Sequence, residues 1–281
     1  MNIIDIYKKA LRTIFVNPNI VMFFVLYMIA SSILAGCTIG AKPPFGIILV
    51  LCFFVFALSF VSGWLEIIKV STRTQEEKKY WEIFLEGIGK NIVSLGFGFL
   101  IYLVIFVGVI MLSAKISQNV FGGLDFISRD ALASIQNNQD FMKYFESLTD
   151  EQRNILSAWQ IVYIFSSLIY SFLMLFYYPS IVFDEKTNVF LKPLFALKNS
   201  FCFLFKNFFG ALLIHITIFT TYILLSYIKM RFGVNIFISI MLVFCYIYFI
   251  SGAIMLIFSY YEQRNNCVDR CNCIRENKDI N

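Results

Sequence analysis

The sequence predicts an all-α integral membrane protein with six transmembrane helices, and three observations lead to this fold class. Hydrophobic residues make up 59% and charged residues 15% of the 281-residue chain, whereas soluble domains average about 45–50% apolar and about 25% charged residues. Six apolar stretches reach the roughly 20 residues that a helix needs to cross a bilayer core. Lysine and arginine are distributed unevenly among the segments that connect these stretches.

The predicted spans are continuous apolar stretches with few ionisable residues, most of which lie near an end. Backbone polar groups in lipid must bond within their own segment, so each stretch is expected to be a helix. The short alternating strands typical of a membrane barrel do not occur. The six spans are 19–40, 45–68, 91–113, 157–182, 208–228 and 235–259. They form a single domain with a loop at 114–156 and a tail at 260–281.

The distribution of charge predicts an orientation in the membrane. The N-terminus, the second and fourth connections and the tail together carry most of the 23 Lys and Arg residues. Because basic residues stay on the cytoplasmic side, both termini are expected there and the loop 114–156 is expected outside. The many Phe, Ile, Asn and Lys residues are typical of a low-GC bacterium. The expected location is therefore a bacterial cell membrane.

The segment 192–206, just before the fifth span, has the pattern of a basic amphipathic helix. One face holds Leu194, Leu197, Phe201, Leu204 and Phe208. The other side holds Lys192, Lys198, Asn199 and Lys206. Such a helix lies in the membrane interface, with its lysines at the lipid headgroups and its phenylalanines among the acyl chains. Anionic headgroups at the cytoplasmic face are therefore the expected lipid partner.

Similar amphipathic segments precede the first and third spans. The N-terminal one carries the stripe Ile3, Tyr7, Ala10, Leu11 and Ile14, and Asn17-Pro18-Asn19 ends it. The other one, 79–90, places Trp81, Phe84, Leu85 and Ile88 opposite its charged residues, and Asn91 opens the span. The three span entries, "NPNIVMFFVLYMI", "GKNIVSLGFGFLIY" and "FKNFFGALLIHITIF", share an early Asn. Three repeated helical-hairpin units are one interpretation, and chance in a Phe- and Asn-rich chain is the other.

The stretch "YYPSIVFDEKTNVFLKPLFALKNSFCFLFKNFFGALLI" (177–214) combines several features. A span ends near a proline, a short acidic turn follows, and an "AL..S" amphipathic helix leads to a charged-Asn entry into the next span. This layout resembles uncharacterised six-span bacterial membrane proteins and the membrane domain ahead of some glycerophosphodiester phosphodiesterases. The resemblance implies a membrane module without assigned chemistry. The catalytic domain of those fusions is absent, so no catalytic residue is carried over.

Two ionisable residues within or near the spans are candidate functional groups. His215 lies inside the fifth span, where an ionisable side chain is a functional hypothesis by default. Its alternative role is that of a neutral imidazole bonded to a neighbouring helix. Glu66, near the end of the second span, is either a proton or cation site or the partner of Lys69 three residues later. We favour the pairing with Lys69.

Cysteines provide two further candidates. The tail residues Cys267, Cys271 and Cys273 are expected to be reduced in the cytoplasm. Structural zinc usually needs four ligands, and no nearby His completes the set, so a free-thiol tail is the favoured interpretation. "LAGC", ending at Cys37, resembles a lipoprotein cleavage box, but five spans follow it, and the first span is treated as an uncleaved anchor. The other cysteines, Cys52, Cys202 and Cys245, together with Cys37, are interpreted as small apolar fillers.

The loop 114–156 is predicted to contain short amphipathic pieces at 128–136 and 139–148. Thr149 and Gln152 form a capping box for the helix that enters the fourth span. A loop of this length is the best place for an external partner, and a membrane protein is the expected kind of protein partner.

No catalytic, cofactor or metal motif stands out, and Ser251-Gly252 in the sixth span is interpreted as helix packing. No phosphate loop or nucleic-acid surface is present either. The sequence therefore predicts a non-enzymatic accessory or scaffold module that organises lipid or partner proteins. A permease or lipid-handling transporter is the alternative, because a six-span bundle with internal repetition permits one.

Overall fold

The computed structural model describes residues 3–38, 42, 44–73, 79–127, 138–232 and 236–276, and their side chains except at 138, 139, 236 and 266–276. This part of the chain is helical and contains no strand. The helices are α1 (Ile3–Val16), α2 (Pro18–Thr38), α3 (Phe45–Arg73), α4 (Tyr80–Phe121), α5 (Asn138–Ser147), α6 (Asp150–Leu173), α7 (Tyr177–Phe183), α8 (Lys192–Lys206), α9 (Phe208–Phe232) and α10 (Ile236–Glu276).

The predicted all-α membrane fold is confirmed, because six helical segments of the described chain are long and apolar enough to span a bilayer. They are Pro18–Thr38, Phe45–Arg73, Tyr80–Phe121, Asp150–Phe183, Phe208–Phe232 and Phe237–Asn265. The fourth of these contains a turn at 174–176, which separates α6 from α7. The protein is thus a multi-pass membrane protein.

The three asparagines at the predicted span entries occupy two kinds of position. Asn17 separates α1 from α2, and its side chain accepts a hydrogen bond from the Tyr80 hydroxyl at 2.7 Å. Asn207 separates α8 from α9, and its backbone N–H donates to the Phe203 carbonyl at 3.0 Å. Asn91 lies inside α4, which runs without a break from Tyr80. The amphipathic segment 79–90 is therefore continuous with the third span.

The chain divides into two compact units, and the first comprises Met1–Phe99 and Met174–Asn281. In this unit α1 packs on α10, α2 on α3, and α7 on α8. Two glycines bring α3 and the start of α4 together: an added Cβ would lie 2.5 Å from Glu66 Cβ at Gly87, and 2.7 Å from the Phe84 carbonyl oxygen at Gly63. Small residues at such a crossing let two helix backbones approach closely.

The second unit, Leu100–Leu173, contains the last part of α4 with α5 and α6. The Tyr170 hydroxyl donates to the Tyr102 carbonyl at 2.7 Å, and the hydroxyls of Ser113 and Ser166 lie 2.7 Å apart. These bonds join α4 to α6 by polar contacts between otherwise apolar helices.

Two predictions for the loop are confirmed in this unit. The capping box exists, with the Gln152 N–H donating to Thr149 Oγ1 at 3.3 Å and the Thr149 N–H donating to Gln152 Oε1 at 3.1 Å. The amphipathic piece 139–148 largely coincides with α5. The piece predicted at 128–136 lies outside the described residues.

The face of α8 that packs on the protein differs from the predicted apolar face. Its buried residues are Lys192, Pro193, Ala196, Ser200, Phe203 and Leu204, whereas Leu194 is exposed. Small residues therefore make the close helix contact, and part of the Phe- and Leu-rich face remains exposed. The expectation that Lys192 meets lipid headgroups is wrong, because this lysine is only 4% exposed.

The four cysteines of the helical spans and of α8 also differ from their predicted role. Cys37, Cys52, Cys202 and Cys245 are all free thiols and are exposed, so they do not fill gaps in the protein interior. Packing of apolar helices places larger residues inside instead, among them Ile20, Ile67, Ile181 and Phe258.

Candidate functional site

The last turns of α3 bury two charged residues side by side. Glu66 is 4% exposed and Lys69 is 1% exposed, and both lie in a run from Ser62 to Lys69 that is buried throughout. Their side chains share one face of the helix because residues three apart are neighbours on a helix surface. The predicted pairing is confirmed, with Lys69 Nζ 3.3 Å from Glu66 Oε1.

The Lys69 ammonium is surrounded by three oxygens. Besides Glu66, it donates to Glu185 Oε1 at 2.7 Å and to the Val182 carbonyl at 3.0 Å. Two of its three N–H donors are thus used in hydrogen bonds, and the ion pair with Glu66 supplies a third nearby oxygen. Val182 is the penultimate residue of α7, and its carbonyl is one of those that a helix end leaves without an intrahelical partner. Lys69 therefore ties the end of α3 to the end of α7.

The Glu66 carboxylate is held by a second helix as well. Asn91 Nδ2 donates to Glu66 Oε2 at 2.9 Å, and Lys90 Nζ lies 3.7 Å from Glu66 Oε1. Asn91 is fully buried, and the glycine crossing at Gly87 puts this part of α4 next to α3. A buried carboxylate is stable only when it is paired and hydrogen-bonded, and both conditions hold here.

The network extends from α3 to α10 through Arg73. Arg73 Nε donates to Glu262 Oε1 at 2.9 Å, and its guanidinium lies 5.2 Å from the centre of the Phe183 ring. Glu185 lies 3.7 Å from both Arg73 and Lys90. We call this set the ion network, and its members are Glu66, Lys69, Arg73, Lys90, Asn91, Glu185 and Glu262. Its three carboxylates face three cations, so its formal charges balance.

Two charged groups outside the spans have shifted pKa values. The hydrogen bond from Lys69, with the charges of Lys69, Lys90 and Arg73, lowers the pKa of Glu185 despite some burial. Burial lowers the pKa of Lys192, and the neighbouring Asp184 charge opposes that shift. Glu185 is therefore ionised in the network, whereas the charge of Lys192 is disfavoured.

His215 and Ser251 are not members of the ion network. His215 is half-buried in α9, and it is not among the described contacts of Glu66 or Lys69. Ser251 is fully buried in α10, and an added Cβ at the adjacent Gly252 would contact Ile14 of α1, which fits helix packing. Where side chains are described, no group of three metal-ligating residues occurs. Cys267, Cys271 and Cys273 lie in α10, but their side chains are not among those that the structure describes.

Sequence reasoning identified the Glu66–Lys69 pair and missed most of its partners. Glu185 is 116 residues from Lys69 in the chain, and Glu262 is 189 residues from Arg73. No local spacing connects such residues. Asn91 opens an apolar run directly after Lys90, and this polar residue at the start of a span is the only local signal of its buried role.

The arrangement of the ion network is suited to joining helices. Each described carboxylate in it has a cation within 3.7 Å, and the most buried cation, Lys69, has three oxygens within 3.3 Å. Removal of one partner would leave an uncompensated buried charge, which is strongly unfavourable. The ion network thus fixes the relative positions of α3, α4, α7 and α10 at one end of the spans.

Comparison of the chain with known protein families, with curated proteins and with solved structures gives no match. The resemblance of 177–214 to six-span bacterial proteins stays an expectation.

Proposed function

We propose that the protein is a non-enzymatic module of a bacterial cell membrane that gathers anionic lipids at its basic face. In this proposal both termini are cytoplasmic, in keeping with the distribution of Lys and Arg. The basic face comprises the exposed cations of α1 and α8, namely Lys8, Arg12, Lys198 and Lys206. Each juxtamembrane cation near an anionic surface contributes about 1 kcal/mol of attraction.

The observation that carries the proposal is the enclosure of Glu66. For Glu66 to act in transport or catalysis, its carboxylate would have to bind a solute or exchange a proton, yet its oxygens are already held by Lys69, Lys90 and Asn91. A closed, charge-balanced network supports a structural role at this position. The enclosure of Glu66 therefore favours a scaffold over a permease that uses this carboxylate.

The exposed apolar residues beside the cations support interfacial helices. On α1, Leu11 and Phe15 are more than half exposed, and on α8 the same is true of Leu194 and Phe205. Large apolar side chains next to exposed lysines are typical of helices that lie in the headgroup region. Both helices are also anchored to the bundle, since Lys9 Nζ donates to the Thr72 carbonyl at 2.7 Å and Ser200 is buried.

The proposal is tested by the lipids that the protein retains. We would reconstitute the purified protein in nanodiscs with equal amounts of phosphatidylglycerol and phosphatidylcholine, extract it gently, and measure the bound lipids by native mass spectrometry. We expect more bound phosphatidylglycerol than phosphatidylcholine, and a lower ratio in the variant Lys198→Gln/Lys206→Gln because half of the exposed basic face is then neutral.

The matched control is Lys115→Gln/Lys229→Gln, which removes two exposed lysines from the other expected side of the membrane. This control should keep the wild-type lipid ratio. An equal ratio in the wild type and both variants would refute the recruitment of anionic lipid. The same extraction from the native membrane tests the partner: a stoichiometric second protein there would make the module an accessory subunit.

A further inference from the structure

A second feature of the first unit is an apolar cavity between α2, α3, α4, α7 and α10. It has a volume of about 590 Å³, within the range of about 300–1,000 Å³ typical of small-molecule sites. Its floor is formed by the buried residues Trp64, Leu65, Leu95 and Phe258. Its rim includes Phe54 and Ile250, which are 38% and 36% exposed. All of these residues belong to helices that are long and apolar enough to span the membrane.

The lining of the cavity selects for hydrocarbon. The only polar side-chain atoms among its lining residues belong to Trp64 and Tyr178. The Trp64 indole N–H already donates to the Ile20 carbonyl at 3.0 Å. A water molecule in a buried site needs two to four polar partners, which these walls do not offer. A polar or charged ligand would likewise lose its hydrogen bonds to water without replacement.

The cavity ends at the ion network. Four helices contribute both to the cavity wall and to the ion network. On each of them, a lining residue lies four positions along the chain from a residue that is a member of the ion network or is hydrogen-bonded to a member. These pairs are Leu65 and Lys69, Leu95 and Asn91, Tyr178 and Val182, and Phe258 and Glu262. Four residues are about 6 Å along a helix. The ion network therefore closes the cavity about one helical turn away, and its balanced charges give no net attraction for a charged headgroup.

We propose that this cavity binds one acyl chain of a membrane phospholipid. Its rim opens among residues that a bilayer would surround, so hydrocarbon chains are the molecules at its entrance. An empty cavity would forfeit dispersion contacts along its walls, and an acyl chain restores them. The cavity binds the acyl chain, and this binding does not depend on the charge of the lipid headgroup. This inference shares one premise with the proposed function, namely that these helices lie in a bilayer.

The position of Trp64 in the floor allows a direct test. The chain has three tryptophans, and the variant Trp81→Phe/Trp159→Phe retains only Trp64. We would reconstitute this variant in vesicles of phosphatidylcholine with brominated acyl chains, since bromine quenches indole fluorescence on contact. Although Trp64 is only 3% exposed, we expect a loss of its emission relative to vesicles of the same lipid without bromine. Brominated phosphatidylglycerol should produce the same loss.

A cavity-filling substitution provides the second arm. Ala57→Phe, in the Trp64-only background, places a ring in the cavity and should restore the emission in brominated vesicles. Ala35→Phe adds the same ring at an exposed position of α2 outside the cavity and should leave the quenching unchanged. The variant Trp64→Phe/Trp159→Phe retains Trp81, which is 61% exposed, and serves as the positive control for quenching.

The proposal would be overturned if brominated vesicles quench Trp81 but leave the Trp64 emission unchanged, because no acyl chain would then reach the cavity. It would also be overturned if only brominated phosphatidylglycerol quenches Trp64, because the site would then depend on the headgroup. The outcome is separable from that of the lipid-recruitment test, because Lys198→Gln/Lys206→Gln does not alter the cavity walls. An acyl-chain site with no headgroup preference would thus stand even if recruitment of anionic lipid failed.

Discussion

The end of α3 and the start of α8 each bury a lysine, and the two environments are opposite. Lys69 is 1% exposed and has three oxygens within 3.3 Å. Lys192 is 4% exposed, yet the described residues supply no hydrogen bond or ion pair within reach of its ammonium. It is also the first residue of α8, where the helix dipole disfavours a cation. A buried lysine stabilises the fold only where its partners compensate for the lost water.

The largest effect is expected from loss of the paired lysine. The variant Lys69→Met leaves the buried Glu66 with Lys90 at 3.7 Å as its nearest cation. Breaking a buried pair on one side typically costs about 3–5 kcal/mol. We therefore expect the free energy of unfolding, measured by denaturant titration in a mild detergent, to fall by about that amount.

The exposed pair of Lys79 and Glu82 is the matched control. Its Nζ and Oε1 atoms lie 2.9 Å apart, closer than those of Lys69 and Glu66 at 3.3 Å, but both side chains are more than two-thirds exposed. Surface pairs contribute about 0–1 kcal/mol, so Lys79→Met should change the stability by no more than that. Similar losses for Lys69→Met and Lys79→Met would show that burial does not set the strength of the ion network.

The opposite sign is expected for the unpaired lysine. Lys192→Met replaces a buried ammonium with an apolar side chain of similar length, and should leave the stability unchanged or raise it by roughly 0–2 kcal/mol. Burial lowers the pKa of Lys192 in the folded protein from its ordinary 10.5, so the charged lysine destabilises the fold. The gain in stability from Lys192→Met should therefore be full below the folded pKa, where Lys192 is charged, and should vanish above pH 10.5. A loss like that of Lys69→Met would instead mean that Lys192 has a compensating partner.

The smallest effect is expected at Glu185, which is 47% exposed. The hydrogen bond and charge of Lys69 lower its folded pKa below the ordinary 4.5. A carboxyl group with a depressed folded pKa adds stability above its unfolded pKa, and that stability is lost as the pH falls through the folded pKa. The stability difference between the wild type and Glu185→Gln should therefore shrink below pH 4.5. An unchanged difference at acid pH would exclude ionised Glu185 as its source.

Local patterns in the sequence were reliable where neighbours in the chain decide the structure. The capping box of Thr149 and Gln152 and the pair of Glu66 and Lys69 each involve residues three apart, and both exist. The prediction that Lys192 lies at the headgroups is wrong because helical periodicity separates the faces of a helix without showing which face packs on the protein. In α8 the face that contains Pro193 and Ala196 packs on the protein, because small residues allow a closer helix contact than Leu and Phe would.

The amino-acid sequence is enough to predict the class of protein, the six apolar helices and the uneven distribution of basic residues. These follow from composition and from the length of helix that a bilayer core requires, and both are properties of the chain alone. Which charges are buried together, and where the cavity lies, depends on how the helices pack. The contact of α3 with α4 at Gly63 and Gly87, and the approach of α7 and α10, bring distant residues within bonding distance. Such distances depend on how helices cross, which no single helix encodes.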